Sequence, residues 1–169
     1  HGDEALKFFR KMRDMGVHPN SVTYINTLKA CGNVCSLDIG ESIDVQIRNE
    51  GLLGKEVELG NALVDMYSKC DAMEKAREVF ELLPMRDIVS WNALIAGYAQ
   101  NGLGHEALEC VSQMRKTGVD LDMITYACIL KSCGIVGSLE IGEDIAAEVR
   151  MQGLWHKDVM VGNALVDMY

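Results

Sequence analysis

Three asparagines, Asn61, Asn92 and Asn163, stand at matching places near the starts of helical segments, and Asp87, Asp122 and Asp158 each directly precede such a segment. Asparagine is a poor helix former, so its recurrence there calls for a reason. An amide offers a donor and an acceptor side by side, and a carboxylate accepts hydrogen bonds directly or through water. Asp and Asn before a helix are also preferred N-caps worth about 1 kcal/mol, so capping alone accounts for Asp87, Asp122, Asp158 and Asn20. Lys29 and Lys131 sit four residues after Ile25 and Ala127, on the same helical face as those residues.

Other chemistry finds little support. The four histidines, His1, His18, His105 and His156, share no spacing with cysteines or carboxylates. The pairs Cys31/Cys35 and Cys128/Cys133 differ in spacing and lack paired histidines, so neither has the form of a zinc site. Cys31, Cys70, Cys110, Cys128 and Cys133 lie in helical patterns beside small or apolar neighbours and read as buried free thiols. No Ser/His/Asp set, phosphate loop or paired carboxylate has supporting context. The expectation is a non-catalytic chain with no metal and no cofactor.

The elements that position these residues follow from internal repetition. Sliding residues 1–67 onto 103–169 gives 34 identical pairs out of 67 without a gap, which establishes a repeat of 102 residues. The fragment NALVDMY at Asn61 to Tyr67 and again at Asn163 to Tyr169 belongs to it, as do LKACG with LKSCG and SLDIGE with SLEIGE. Within this period a small residue recurs at Ala5, Gly40, Ala76, Ala107 and Gly142, where two helices are expected to cross closely.

Each short unit holds two amphipathic segments, the pattern of stacked helical hairpins. In residues 88–122 the first helix carries Trp91, Leu94, Ile95 and Tyr98 on one stripe. The turn is Asn101-Gly102, and the second helix turns Ala107, Leu108, Val111 and Met114 inward before Thr117-Gly118 ends it. Helices of about 12 residues are marginal alone, so packing between units must stabilise them. The chain divides into 1–20 (truncated), 21–56, 57–87, 88–122, 123–158 and 159–169 (truncated), with Pro19 and Pro84 near unit ends.

A hydrophobic fraction of 49% supports a continuous core, and no apolar run approaches the roughly 18 residues that span a bilayer. The net charge of −9 weighs against a uniformly basic nucleic-acid surface, although a solenoid can keep one polar face while its outer face is acidic. The acidic group Glu74, Glu78 and Glu81 reads as an exposed helix face. Both ends cut through a hairpin, so the absence of a targeting segment from this sequence decides nothing about compartment, and apolar end surfaces leave self-association open.

NALVDMYSKC (61–70), MEKAREVFELLPMRD (73–87), DIVSWNALIAGYAQNG (87–102) and the LKACG…SLDIGE pattern together resemble the pentatricopeptide repeat family. The alternating lengths of 35, 36 and 31 residues are similar to its plant subclass of P, L and S repeats. By this resemblance 57–87 is an S unit, 88–122 a P unit, and 21–56 and 123–158 are L units, with a P remnant before and an S remnant after.

The resemblance implies an all-α, right-handed solenoid that binds single-stranded RNA along its concave side, one unit per base, in chloroplast or mitochondrion. The fifth residue of a unit and its last residue choose the base. That pairs Asn61 with Asp87 and Asn92 with Asp122, both favouring uracil. Val22, Val89 and Ile124 occupy the second position, where bases are held between apolar side chains. Lys29 and Lys131 would line the groove toward phosphates.

Some positions depart from the family pattern. Glu58 stands where an uncharged residue belongs, and Asp65 adds negative charge four residues after Asn61. The pairs Ile25 with Glu56 and Ala127 with Asp158 cannot hydrogen-bond a base through the fifth residue. Asn20 and Asn163 lack their partners within this chain. The family's L units also imply small editing cofactor proteins as partners. A protein-interaction scaffold without RNA contact is the alternative. The zinc deaminase motifs of the subclass, His-x-Glu and Cys-x-x-Cys, are absent from the sequence.

Overall fold

The computed structural model describes residues 1–154 and 159–169, and among these it contains ten α-helices and no strand. Two compact units are each described by themselves, His1–Arg86 and Asp87–Tyr169. Asp158 and His156 lie outside the described residues.

The first unit holds α1 (Gly2–Asp14), α2 (Ser21–Val34), α3 (Leu37–Asn49), α4 (Val57–Lys69) and α5 (Met73–Leu82). Helix α2 packs against α1, α3 and α4, and α4 packs in turn against α3 and α5. Tyr24, Leu28, Ile43, Ile47, Leu59, Leu63 and Met66 are fully buried and form the core between them. The second unit holds α6 (Ile88–Gln100), α7 (Gly104–Lys116), α8 (Met123–Val136), α9 (Leu139–Met151) and α10 (Val159–Met168). There α8 is central and touches the other four helices.

The stripe expected in α6 is buried throughout, with Trp91, Leu94, Ile95 and Tyr98 all in the core. Helix α6 ends where Asn101 Nδ2 donates to the Gly97 carbonyl at 2.9 Å and Gly102 adopts a φ of 75°. On α7, Ala107, Val111 and Met114 are buried, whereas Leu108 is only half-buried because it faces an open cleft toward α9 rather than a neighbouring helix. The recurring small residue is buried at Gly40, Ala76, Ala107 and Gly142 but exposed at Ala5.

All six cysteines are free; Cys31, Cys110 and Cys133 are buried, Cys70 and Cys128 are half-buried, and Cys35 is exposed. Burial pushes the Cys31 and Cys128 thiols up to about 11, so both are protonated at neutral pH. Among the described residues no helix is long and apolar enough to cross a membrane.

Candidate nucleic-acid interface

Three of the first helices, α2, α6 and α8, begin in the same way, whereas Glu56 before α4 makes no side-chain cap. Asn20 caps α2 by accepting from Thr23 N at 2.9 Å, and Asp87 caps α6 by accepting from Ser90 N at 2.8 Å. Asp122 caps α8 by accepting from Thr125 N at 2.9 Å. These carboxylates and the amide satisfy backbone donors that an α-helix leaves open at its N-terminus. The residue after the first helical position is apolar and exposed at Val22, Val89 and Ile124, by 64%, 55% and 46%. Hydrophobic side chains left so open at one repeated helical position are available to a ligand.

In the second unit, capping and the amide converge. Asn92 on α6 is only 8% exposed, and its Nδ2 donates to both oxygens of Asp122, at 3.0 and 2.9 Å. Its Oδ1 accepts from the Thr125 hydroxyl at 2.7 Å. The same hydroxyl lies 2.9 Å from Asp122 Oδ1, and the Asp122 backbone N–H donates to it at 3.3 Å. An amide has two N–H groups and two acceptor lone pairs, so one of each remains for a ligand. Sequence reasoning missed Thr125. A signal was present, since a hydroxyl residue follows each such cap by three positions in Asn20–Thr23, Asp87–Ser90 and Asp122–Thr125.

Beyond this cluster a groove runs over α6, α8 and α10, lined by Ala96, Ala99, Gln100, Ile124, Ala127, Cys128, Lys131, Met160, Asn163, Ala164 and Asp167. It brings together the apolar Ile124, the cation Lys131 and the exposed amide of Asn163. Asn92 stands one turn before Ala96, so the polar cluster continues that helical face. Lys131 is exposed and makes no ion pair among the described residues, which leaves its ammonium available to an anion.

The first unit presents a mixed face. Lys29 on α2 is exposed, Ile25 is half-buried, and Glu58 on α4 is exposed. Asp65 is engaged by Lys69 at 2.7 Å. Asn61 is 9% exposed, and its Oδ1 has no hydrogen-bond partner among the described residues. Buried acceptors are nearly always satisfied, so an orphan here marks an unfilled demand for a donor. Asp87 belongs to the second unit and is exposed there.

Three segments match family models: "PPR repeat family" over residues 86–134, "Pentatricopeptide repeat domain" over 2–34 and "PPR repeat" over 61–88. A chloroplastic pentatricopeptide repeat-containing protein of Arabidopsis thaliana is 37% identical over 168 residues, 99% of this chain and 19% of that protein. A mitochondrial one is 38% identical over 168 residues, 99% of this chain and 24% of that protein. The chain thus spans about a fifth to a quarter of the length of these curated relatives.

Among solved structures, the maize pentatricopeptide repeat protein PPR10 superposes with a TM-score of 0.69 at 23% identity, over 96% of this chain and 24% of that one. The same protein in complex with an 18-nt psaJ RNA element gives 0.74 at 21% identity, over 95% and 24%. These likenesses establish the all-α helical-repeat fold. With repeat models matched along its length and such relatives aligned over nearly all of it, the chain belongs to the pentatricopeptide repeat family.

Proposed function

We propose that the chain is a non-catalytic segment that binds single-stranded RNA in an organellar RNA-processing or RNA-editing factor of the P, L and S repeat type. The observation that carries this reading is the Asn92 amide held by Asp122 at the head of α8, with Val89 and Ile124 exposed beside it. The free N–H and lone pair of Asn92 match the acceptor and donor of a uracil edge, and the two apolar side chains supply faces for stacking. A solved relative is bound to an RNA element, and relatives named chloroplastic and mitochondrial support an organellar setting.

On this reading the repeats are 21–56 (L), 57–87 (S), 88–122 (P) and 123–158 (L), with remnants at 1–20 and 159–169. Asn61 with Asp87 and Asn92 with Asp122 address adjacent bases and favour 5′-UU-3′; for the first pair the support is the family resemblance and the orphaned Asn61 acceptor. The repeats with Ile25 and Ala127 contribute contact without base choice, and small editing cofactor proteins bind there. Lys29 and Lys131 meet phosphates. Self-association, where it occurs, uses the apolar ends.

Competition binding with a short single-stranded RNA and its single-base variants tests the assignment. Asn92→Thr is expected to move the preference at the second base from U toward G. Unchanged selectivity rejects the role of Asn92, and no binding to any single strand favours a protein-interaction scaffold.

A further inference from the structure

We infer that Thr125 is a positioning residue, the third member of the base-reading group, and that a hydroxyl at this helical place decides whether the preceding repeat reads a base. The inference rests on the reading of Asn92 and Asp122 above. The geometry around Thr125 carries it, and the pattern of the chain's own repeats is consistent with it.

Thr125 is fully buried, and its hydroxyl reaches Asn92 Oδ1 at 2.7 Å and Asp122 Oδ1 at 2.9 Å. A hydroxyl carries one proton, so it serves one of these acceptors at a time. Asp122 Oδ1 already accepts from Thr125 N and Asn92 Nδ2, whereas Asn92 Oδ1 has only the hydroxyl. In the free chain the proton therefore goes to Asn92, which holds the amide with its oxygen inward and its nitrogen on the carboxylate. When a base engages the amide, the hydroxyl can rotate its proton to Asp122 without moving any heavy atom. Asp122 alone would fix the nitrogen but leave the buried amide oxygen unsatisfied in the free state.

The repeats vary in step with this. The helix after Asn92 carries Thr125 at its third position, and the helix after Asn61 carries Ser90 there. The helix after Ile25 carries Leu59, and the helix after Ala127 carries Val161. All four third-position residues are fully buried. Polarity at this place thus accompanies polarity at the fifth place of the preceding repeat, and each hydroxyl also lies 2.9 Å from an oxygen of its own cap, Ser90 from Asp87 and Thr125 from Asp122.

The test uses Thr125→Val, which keeps the shape and removes the hydroxyl, and Thr125→Ser, which keeps the hydroxyl. Competition among U, G, A and C at the nucleotide addressed by Asn92 is measured alongside the thermal midpoint. Thr125→Val is expected to lose about tenfold in preference for U at that nucleotide alone, with selectivity elsewhere unchanged, as for removal of one buried hydrogen bond. Thr125→Ser is expected to retain the preference.

A structural role alone would lower the midpoint and weaken all RNAs equally, and that result overturns the inference. So does a wild-type preference that survives in Thr125→Val, which leaves the Asn92 reading standing. A wild-type chain that binds RNA with no preference at this nucleotide overturns both. As a converse arm, Ala127→Asn with Val161→Thr is expected to gain a preference that Ala127→Asn alone lacks; equal gain in the single variant overturns the inference.

Discussion

At the scale of single residues, the strongest polar group outside the interface is Asp44 on α3. It is 6% exposed, is gripped by Arg48 at 2.7 and 3.1 Å, and accepts from the Tyr67 hydroxyl at 2.8 Å. The equivalent place 102 residues later is Ala146, so the second copy of the repeat lacks this network. Asp44→Ala is expected to cost about 3 kcal/mol, read from urea midpoints. That is the low end for breaking a buried pair, because Arg48 keeps Glu78 and some solvent. A change below about 0.5 kcal/mol would show the pair to be dispensable.

Tyrosines give a second residue-scale prediction. Burial, followed by hydrogen bonding to Glu50, pushes Tyr24 up to about 12, and burial with Glu148 does the same to Tyr126. Burial and Asp44 raise Tyr67 as well. Each group holds its proton more tightly folded than unfolded, so its contribution is complete below pH 10 and declines as pH rises toward 12. Stability is expected to fall across that window, and the fall is expected to shrink in Tyr24→Phe and Tyr126→Phe. A loss of stability at high pH that is unchanged in both variants would contradict it.

At the scale of elements, the close helix crossings depend on what faces each glycine. A Cβ at Gly104 would lie 2.9 Å from the Ser132 carbonyl oxygen and 2.8 Å from Val136 Cγ1, and backbone cannot step aside. A Cβ at Gly40 would meet the tip of Met66, which can turn away. Gly104→Ala is therefore expected to destabilise by about 1–3 kcal/mol. Gly40→Ala is expected to be close to neutral, since about 1 kcal/mol of helix propensity offsets the repacking of Met66. Thermal midpoints of the two variants decide, and equal shifts would sink the distinction.

A related contrast ends α2 and α8. Cys35 adopts a left-handed φ of 53° where the later copy places Gly137 at 67°, and only the latter is free of the Cβ penalty. The repetition of 102 residues, the hairpins and the caps at Asn20, Asp87 and Asp122 were legible because they depend on local patterns. The exposure of Ala5 and the half-burial of Leu108 were not, because burial depends on which neighbour covers a face.

For the whole molecule, a net charge of −9 sets the problem of how an acidic chain meets a polyanion. Lys131 in the groove of the second unit answers it locally, while Lys116 on α7 is exposed away from the groove lining. Each phosphate neutralised on a single strand adds about 0.7 to the slope of log affinity against log salt. Lys131→Ala is expected to reduce that slope by about 0.7 and to weaken all sequences alike, whereas Lys116→Ala leaves it unchanged. Equal effects from both would place the RNA elsewhere.

From sequence alone came the repeat, the all-α class, the family and the short list of amides and carboxylates, since periodicity and cap chemistry are written in nearest neighbours along the chain. Only tertiary structure showed that Asn92 is nearly buried with its amide committed to Asp122 and Thr125, that Asn61 keeps an unmatched acceptor, and that Ile124, Lys131 and Asn163 share one groove. The physical reason is distance along the chain. Asn92 and Thr125 are separated by 33 residues, and a hydrogen bond between them exists only once α6 and α8 have packed.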